Sequence, residues 1–243
     1  MRGPDHWGIA GSPISHSLTP RLFSLVGESL GIRPATEFFM EARTVEDFER
    51  GVEQLDGDVW LSCTAPLKHA PMERLGLEGP EGVNAVNQLM RADGVWSGTS
   101  TDGTGFISAC RHIGIEPSGQ VLRMKGGGSA ARAIAASWSS EGGLILPEEG
   151  RRSLVSGPWD SAVVEGVEAG LSIDLDAPPG GGESAHLPAQ RQVSISYGEN
   201  ARADDFAVVM VVAQHLEAWK SLFSPGSCDG LPSVGEILER LAS

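Results

Sequence analysis

Short strand-like and longer helix-like patterns of hydrophobic residues alternate along the first part of the chain. The patterns predict strands at 7–11, 35–42 and 58–64, and helices at 19–31, from 44 onward and at 66–75. Thr19-Pro20 supplies an N-cap and a proline suited to a first helical turn. Thr44 and Asp47 form a capping-box-like arrangement. Alternation of strands and helices predicts a parallel α/β layer.

Two strand-like runs, 84–91 and 95–100, flank Asp93-Gly94, a dipeptide that signals a hairpin. A second α/β unit is predicted after this hairpin. Beyond a helix at 103–112, the pattern predicts a strand at 120–125, a glycine-rich turn and a helix at 130–138. Weaker patterns predict strands at 142–146, 171–175 and 192–197, a loop at 177–182, and helices at 204–223 and 234–241.

Composition and charge narrow the function classes. The 243 residues are 40% hydrophobic and 21% charged, which is typical of a globular chain with one large or two small domains. A net charge of −14 argues against nucleic acid and anionic membranes as partners, because both require a basic face. The longest apolar run, 206–213, is too short to span a bilayer.

The cysteines and the N-terminus indicate a cytoplasmic protein. Cys63, Cys110 and Cys228 are odd in number and widely spaced, which fits a reducing compartment and neither a disulfide framework nor a zinc site. The first residues lack the basic and apolar regions of a signal peptide. We expect no metal.

Polar residues gather directly after two predicted strands, where open α/β sheets bind ligands. Gly11 to Pro20 contains three serines and a threonine before a helix, whose N-terminus attracts anions such as carboxylates. The alternative explanation is that these residues serve only as ordinary turn and helix-capping residues. Lys68 follows the third strand and is expected on the first helical turn, the unfavourable end for a cation. A lowered pKa for proton transfer is one reason for that placement, and a solvated surface lysine is the alternative.

Two further clusters carry candidate chemistry. Asp102 follows the hairpin, where it is either a helix cap or a carboxylate partner for a lysine in acid–base work on a hydroxyl or ketone. Gly126-Gly127-Gly128-Ser129 lies between a strand and a helix, where glycines let the backbone approach a pyrophosphate.

Read together, these segments resemble the shikimate dehydrogenase family in the same order along the chain. The resemblance is carried by Gly8 to Pro20, by Thr64-Ala65-Pro66-Leu67-Lys68, by Asn84-Ala85-Val86-Asn87 and by Thr101-Asp102-Gly103. It implies Lys68 and Asp102 as the catalytic pair. The substrate-binding residues that it implies are Ser15, Ser17, Thr64, Asn87, Tyr197 and Gln214. The cofactor-binding residues that it implies are Gly126, Gly127, Gly128, Ser129, Ala130 and Arg151.

The resemblance also implies architecture and activity. The fold would comprise a three-layer α/β substrate domain, 1–103, with helices at 205–243 packing back on it. A reduced Rossmann-like nucleotide-binding domain, 104–204, would follow, with a cleft between the two. The expected reaction is NADP-dependent reduction of 3-dehydroshikimate to shikimate in chorismate and aromatic amino acid biosynthesis, by a monomer or homodimer.

The cofactor half departs from the family pattern, which leaves alternatives open. The family's Asn-Arg-Thr motif for the 2′-phosphate of NADP has no clear equivalent, and 146–152 stands there instead. Arg151 or Arg152 would serve the phosphate, whereas Glu148 or Glu149 would prefer the bare ribose of NAD. A helix is missing between 197 and 204, so the domain looks shortened. The alternatives are a shikimate-binding protein without cofactor, and a dehydrogenase of quinate or aminoshikimate.

Overall fold

The chain folds into two compact units. The computed structural model describes residues 3–178, 180 and 182–243, with all side chains there except those of residues 227 and 228. Pro179 and Gly181 of the predicted loop, and the Cys228 thiol, therefore lie outside the described part. The first unit comprises Met1–Pro80, Asn84–Thr101 and His215–Ser243, and the second comprises Glu81–Val83 and Asp102–Gln214.

The first unit is built on a five-stranded mixed sheet. Its strands and helices are β1 His6–Gly11, α1 Thr19–Ser29, β2 Thr36–Glu41, α2 Val45–Glu53, β3 Val59–Cys63, α3 Ala70–Leu75, β4 Gln88–Ala92, β5 Val95–Thr99 and α7 Val234–Ala242. The strand order is β2-β1-β3-β4-β5. β1 runs parallel to β2 and β3, while β4 and β5 form the antiparallel hairpin that the sequence predicts.

This sheet carries a hydrophobic core on each face, because side chains on a strand alternate between faces. Val59, Leu61 and Cys63 of β3 join a cluster that includes Phe48 and Val52 of α2. On the opposite face lies an aromatic cluster in which the Phe23 ring contacts the rings of Trp7, Trp60, His215, Trp219 and Phe223. The resulting arrangement of three layers confirms the predicted class.

The second unit contains a parallel four-stranded sheet. Its elements are α4 Asp102–His112, β6 Val121–Lys125, α5 Ser129–Ser140, β7 Leu144–Glu148, β8 Leu171–Asp174 and β9 Arg191–Val193, in the strand order β7-β6-β8-β9. α6 spans Phe206–Ala218, so the division between the units falls inside it, and a π-helical turn, Trp219–Phe223, continues it. Leu122, Met124 and Ile145 are fully buried, as expected for parallel strands covered by helices.

Local signals explain several element boundaries. Thr44 and Asp47 form the predicted capping box at the start of α2, and Ser233 and Glu236 form another at α7. Asp93 and Gly94 have φ values of 48° and 79°, which is the backbone of a two-residue hairpin turn.

Several predicted boundaries differ from the structure, including the strand expected over 84–91, which spans only Gln88–Ala92, and that expected over 142–146, which spans Leu144–Glu148. The helix expected from Pro66 begins only at Ala70, so Lys68 lies in a turn before α3 and not on its first turn. Leu18, and not Thr19, is the N-cap of α1. The strand expected over 192–197 ends at Val193.

The division into units also differs from the predicted domain limits. The second unit starts at Asp102 rather than 104 and ends at Gln214 rather than 204. Residues 205–214 belong to the second unit by this division, and the predicted packing of 205–243 on the first domain stays a prediction.

Candidate active site

In the first unit, three segments with predicted site residues meet at one edge of the sheet, the edge formed by the carboxyl ends of β1 and β3 and the start of β4. The loop after β1 contacts the loop after β3, since the Ser12 N–H donates to the Ala65 carbonyl at 3.0 Å. The Thr64 N–H donates to the Ala10 carbonyl at 2.8 Å. The Val86 N–H donates to the Lys68 carbonyl at 2.8 Å, which adds the segment before β4. Backbone hydrogen bonds thus continue past the strand ends and join residues 11–20, 64–68 and 84–87.

Gly11 allows the first two loops to approach closely. Its φ of +153° is one that L side chains rarely adopt, and an added Cβ would lie 2.3 Å from Thr64 Cγ2. The same atom would lie 2.9 Å from the Ala65 carbonyl oxygen, which belongs to backbone and has little room to yield. A larger residue would therefore push the serine loop away from Thr64.

The two predicted carboxylate-binding serines lie at the start of α1. Ser15 is exposed and Ser17 is half-buried, while Ile14 between strand and helix is 2% exposed and anchors the loop. The Ser17 hydroxyl oxygen accepts from the Thr19 N–H at 3.2 Å. The first turn of α1 contains no acidic residue, so the positive end of the helix dipole and the serine hydroxyls favour an anion.

Asn87 is held in one orientation by the backbone around it. It is 3% exposed, its carbonyl accepts from the Cys63 N–H at 2.8 Å, and its N–H donates to the Thr99 carbonyl at 3.1 Å. The Thr101 N–H donates to Asn87 Oδ1 at 2.7 Å, which fixes the side-chain amide. Thr101 is itself buried and positions the Asn87 side chain. The sequence analysis gave it no role, although it belongs to the Thr101-Asp102-Gly103 motif.

In the second unit, the structure brings Asp102 and Gln214 together. Asp102 is the first residue of α4 and is 2% exposed. Gln214 Nε2 donates to Asp102 Oδ1 at 3.1 Å, across 112 positions of sequence. A Cβ on Gly105 would lie 2.3 Å from Gln214 Cγ, so glycine is required for α4 and α6 to approach this closely. Lys68 belongs to the first unit, so its action together with Asp102 stays a prediction.

The glycine-rich loop between β6 and α5 has the form expected of a phosphate cradle. Gly126 has a φ of +106°, and an added Cβ on Gly127 would lie 2.0 Å from the Ser153 carbonyl oxygen. At Gly128, the N-cap of α5, an added Cβ would meet nothing within 4 Å. Ser129 and Ala130 form the first turn of α5, which contains no acidic residue. One side of the loop is packed, and the side at the helix N-terminus is open to an anion.

Basic side chains surround this loop. Arg132 Nη1 donates to the Gly127 carbonyl at 3.2 Å, and burial followed by the nearby Arg152 charge lowers the pKa of Arg132. Arg151 is exposed and bound to Asp176, whose carboxylate accepts from the Arg151 N–H at 2.6 Å. Asp176 also lies against Gly126, so it links the glycine loop to the segment after β7. Sequence reasoning assigned no role to Arg132 or Asp176; the position of Asp176 just after β8 was the available signal.

The end of β7, where the residue type distinguishes NAD from NADP binding, is occupied by an acidic residue. Glu148 is the last residue of β7, and its carboxylate pairs with Arg123 on the neighbouring strand β6. An acid at the end of the second strand of such a unit hydrogen-bonds a ribose, while a nearby arginine accommodates a 2′-phosphate. Glu148 and Arg151 thus offer both contacts beside one loop. The residues present fit a dinucleotide.

Tyr197, the last of the predicted substrate-binding residues, is half-buried in a segment without helix or strand after β9. Within the described residues, no group of His, Cys, Asp and Glu is arranged to hold a metal ion. No helix in the same part of the chain is long and apolar enough to cross a membrane.

Comparisons with known proteins point to one family. No family model matches the chain. It is 36% identical over 139 residues to a shikimate dehydrogenase (NADP(+)) of Geobacter sulfurreducens, a match that covers 56% of this chain and 48% of the relative. A second shikimate dehydrogenase (NADP(+)), from Rubrobacter xylanophilus, is 36% identical over 133 residues, or 53% of this chain and 46% of the relative. The matches thus span about half the length of these curated relatives.

Solved structures extend the likeness of fold to nearly the whole chain. Shikimate 5-dehydrogenase of Thermus thermophilus in complex with shikimate aligns with a TM-score of 0.72 and 23% identity, covering 98% of each chain. Shikimate dehydrogenase 1 of Peptoclostridium difficile aligns with a TM-score of 0.72 and 17% identity, covering 98% of this chain and 96% of that one. At these identities the alignments establish the fold.

Proposed function

We propose that this chain, which belongs to the shikimate dehydrogenase family, catalyses the NADP(H)-dependent reduction of 3-dehydroshikimate to shikimate. The observation that carries the proposal is the joining of residues 11–20, 64–68 and 84–87 by backbone hydrogen bonds at one sheet edge. That edge gathers hydroxyls, an amide and an ammonium group. The relatives named shikimate dehydrogenase (NADP(+)) support the same reaction.

The proposed substrate contacts follow from the chemistry of each side chain. Ser15 and Ser17, at an α1 N-terminus free of acids, suit the carboxylate of a hydroxylated ring acid. Thr64 and Asn87 supply hydrogen bonds to its hydroxyl groups. The Thr101 N–H donates to the Asn87 amide oxygen and Asn87 Nδ2 donates to Thr101 Oγ1 at 3.4 Å, so Thr101 holds the side-chain amide in one orientation. Tyr197 is proposed to complete the pocket.

Lys68 and Asp102 are proposed to handle the proton. In the direction of reduction, the Lys68 ammonium donates a proton to the carbonyl oxygen as that oxygen gains negative charge. After reduction the neutral Lys68 amine regains a proton from water, and in the reverse direction that amine takes the proton of the substrate hydroxyl while the Asp102 carboxylate balances the resulting positive charge. Gln214 orients Asp102 through the 3.1 Å bond to Oδ1. Gly126 to Ala130 with Arg151 would hold the phosphates of NADPH, which when bound would supply the hydride for the carbonyl carbon.

Steady-state oxidation of shikimate with NADP and with NAD tests the proposal. We expect turnover with at least one dinucleotide, and Lys68→Ala to lower kcat by roughly 10²–10⁴-fold. Lys220→Ala is a matched control, because this exposed lysine lies in the π-helical turn after α6 and pairs with Glu217. Quinate and aminoshikimate assayed beside shikimate test the substrate, since a site built from hydrogen bonds discriminates strongly between a hydroxyl and an amine.

A binding titration separates catalysis from binding alone. Calorimetric binding of shikimate, with no binding of either dinucleotide and no turnover, would overturn the enzymatic proposal. That result would leave a shikimate-binding protein. Turnover that survives Lys68→Ala unchanged would instead overturn the role of the lysine.

A further inference from the structure

Gln88 and Ser62 form a buried polar pair next to the candidate site. Gln88 is the first residue of β4, directly after Asn87, and Ser62 lies on β3, two residues before Thr64. The two residues are 3% and 6% exposed. The Ser62 hydroxyl donates to Gln88 Oε1 at 2.8 Å, between residues that face each other on neighbouring strands. Ser62 therefore holds the oxygen end of the Gln88 amide in one place.

The nitrogen end of the same amide is left without a protein partner. No described residue accepts a hydrogen bond from Gln88 Nε2, which carries two N–H groups. This atom is not among the fully enclosed side-chain atoms that lack a partner, so it borders space that a ligand can reach. Most buried donors in folded proteins are paired, because an unpaired donor loses its hydration without compensation. We therefore expect a bound ligand to supply the acceptor.

Gln88 faces the side of the first sheet that α1 covers. Leu89, its neighbour on β4, belongs to the core on the α2 side. Because side chains alternate along a strand, Gln88 points to the opposite face, where Trp60 of β3 contacts Phe23 of α1. The start of β4 lies at the carboxyl end of β3, which is the sheet edge where the serine-rich segment 11–20 leads into α1. The unpartnered amide thus lies beside the candidate substrate site.

We propose that Gln88 is a further substrate-binding residue, whose Nε2 donates a hydrogen bond to a ring hydroxyl of the substrate. This inference rests on the proposed function, in which the substrate is a hydroxylated ring acid. Ser15 and Ser17 at the start of α1 supply the groups suited to the carboxylate. A neutral amide donor suits a hydroxyl oxygen. Ser62 is a positioning residue that fixes the direction of the amide.

The pair also gives the site a means of discrimination. A ligand that lacks the matching hydroxyl would leave Gln88 Nε2 buried without an acceptor. Sites built from hydrogen bonds reject such analogues more strongly than apolar pockets reject a missing methylene group. Gln88 therefore contributes to specificity as well as to affinity.

Paired substitutions separate substrate binding from folding. Gln88→Met removes the amide with little change in volume, and Ser62→Ala removes the hydroxyl. The double variant replaces both partners of the buried bond by apolar groups, an exchange that is nearly neutral for folding. Gln192→Met is a matched control, because Gln192 Nε2 donates to the Ala185 carbonyl and its Oε1 accepts from the Leu187 N–H, so both ends of its amide are bound within the second unit.

Calorimetric titration with shikimate measures the effect, and circular dichroism melts check that each variant is folded. We expect Gln88→Met and the double variant to raise the Kd for shikimate roughly three- to tenfold, the range for one hydrogen bond between neutral groups. Ser62→Ala should raise it less, since the donor remains but is no longer held. Gln192→Met should bind shikimate as the wild type does.

Shikimate analogues that each lack one ring hydroxyl identify the contact. In the wild type, loss of the hydroxyl that Gln88 contacts weakens binding, whereas in Gln88→Met the same loss has no further effect, because the bond is already absent. A general distortion of the site would instead weaken the binding of every analogue to a similar degree.

The outcomes distinguish this proposal from the proposed function. Unchanged shikimate affinity in a folded Gln88→Met variant, or coupling of Gln88 to none of the hydroxyls, would overturn the role of Gln88 and leave the proposed reaction standing. A wild type that neither binds nor oxidises shikimate would overturn the proposed function and this inference together.

Discussion

Adjacent glycines in the loop before α5 separate the demands of folding from those of ligand binding. An alanine Cβ at Gly127 would lie 2.0 Å from the carbonyl oxygen and 2.4 Å from the carbonyl carbon of Ser153. Both atoms belong to backbone, so the loop or the segment after β7 must shift. At Gly128, with φ −70° and ψ −177°, an alanine is sterically allowed and its Cβ meets nothing within 4 Å. The two variants should therefore fail in different assays.

The expected magnitudes follow from these contacts. Overpacking against backbone costs roughly 1–3 kcal/mol, and each kcal/mol lowers the Tm of a chain this size by about 2–4 °C, so Gly127→Ala should melt roughly 2–12 °C lower. Gly128→Ala should stay within about 1 kcal/mol of wild type, since alanine restricts the unfolded chain but is a poorer N-cap than glycine. If a pyrophosphate rests on the α5 N-terminus, the new methyl group occupies its approach.

Thermal melts and a fluorescence titration with NADPH measure both effects. We expect Gly128→Ala to melt within about 4 °C of wild type and to raise the Kd for NADPH about tenfold or more, equivalent to at least about 1.4 kcal/mol. Unchanged NADPH affinity in a folded Gly128→Ala variant would refute the placement of phosphate at this helix. An unchanged Tm for Gly127→Ala would refute the packing of Ser153 against the loop.

Three further predictions concern stability and reactivity. Burial lowers the pKa of His215 to about 3, so its neutral form stabilises the fold above the ordinary pKa near 6.5. That contribution is lost as pH falls toward 3, and urea titrations of His215→Phe should show a pH slope smaller by up to about 1.4 kcal/mol per pH unit. Burial raises the pKa of the Cys110 thiol to about 12, so peptide mapping after iodoacetamide treatment at pH 8 should find Cys110 unlabelled until the protein unfolds; rapid native labelling would contradict this burial. Thr44→Ala removes the α2 capping box and should cost about 1 kcal/mol in urea denaturation, with no change in the KM for shikimate.

Features encoded within a few residues could be predicted from the sequence. Thr44 and Asp47 cap α2, and Asp93-Gly94 turns the hairpin, because each motif satisfies its own backbone groups. The strand–glycine–helix unit at Gly126 could likewise be predicted without knowledge of any distant contact. Such signals fixed the order of the elements, and with it the parallel layers.

Boundaries set by distant partners could not be predicted. Pro66 signals a helix start, yet the Lys68 carbonyl accepts from the Val86 N–H in a bond that a helix would not allow. The Thr19 hydroxyl, expected as a cap, instead bonds His215 Nε2 at 3.2 Å, 196 residues away. After β9, which ends at Val193, the Ser196 hydroxyl donates to the carbonyl of Pro178, a contact 18 residues away that the pattern over 192–197 does not encode.

The site residues divide along the same line. Lys68 and the serine-rich segment 11–20 could be singled out because they follow strands directly, whereas the family resemblance implied the individual roles of Ser15, Ser17, Thr64 and Asn87. The sheet order gathers these residues at one edge. Thr101 and Asp176 contact Asn87 and the glycine loop, which are distant from them in the sequence, so these contacts could not be predicted even where the position after a strand was visible. The shortening of the cofactor half stays a prediction.

The placement of acidic residues argues for two anion-binding helix ends. The chain has 32 acidic residues against 18 basic ones, and acids stabilise most helix starts: α2, α3, α4 and α7 each carry one or more in the first turn. α6 follows Asp204 and Asp205 directly. Only α1 and α5, among the seven α-helices described, begin without an acid in or just before the first turn. These are the two helices that follow the serine loop and the glycine loop. An acid at either start would stabilise the helix but repel a carboxylate or a phosphate, so its omission at both is explained by ligands of that charge.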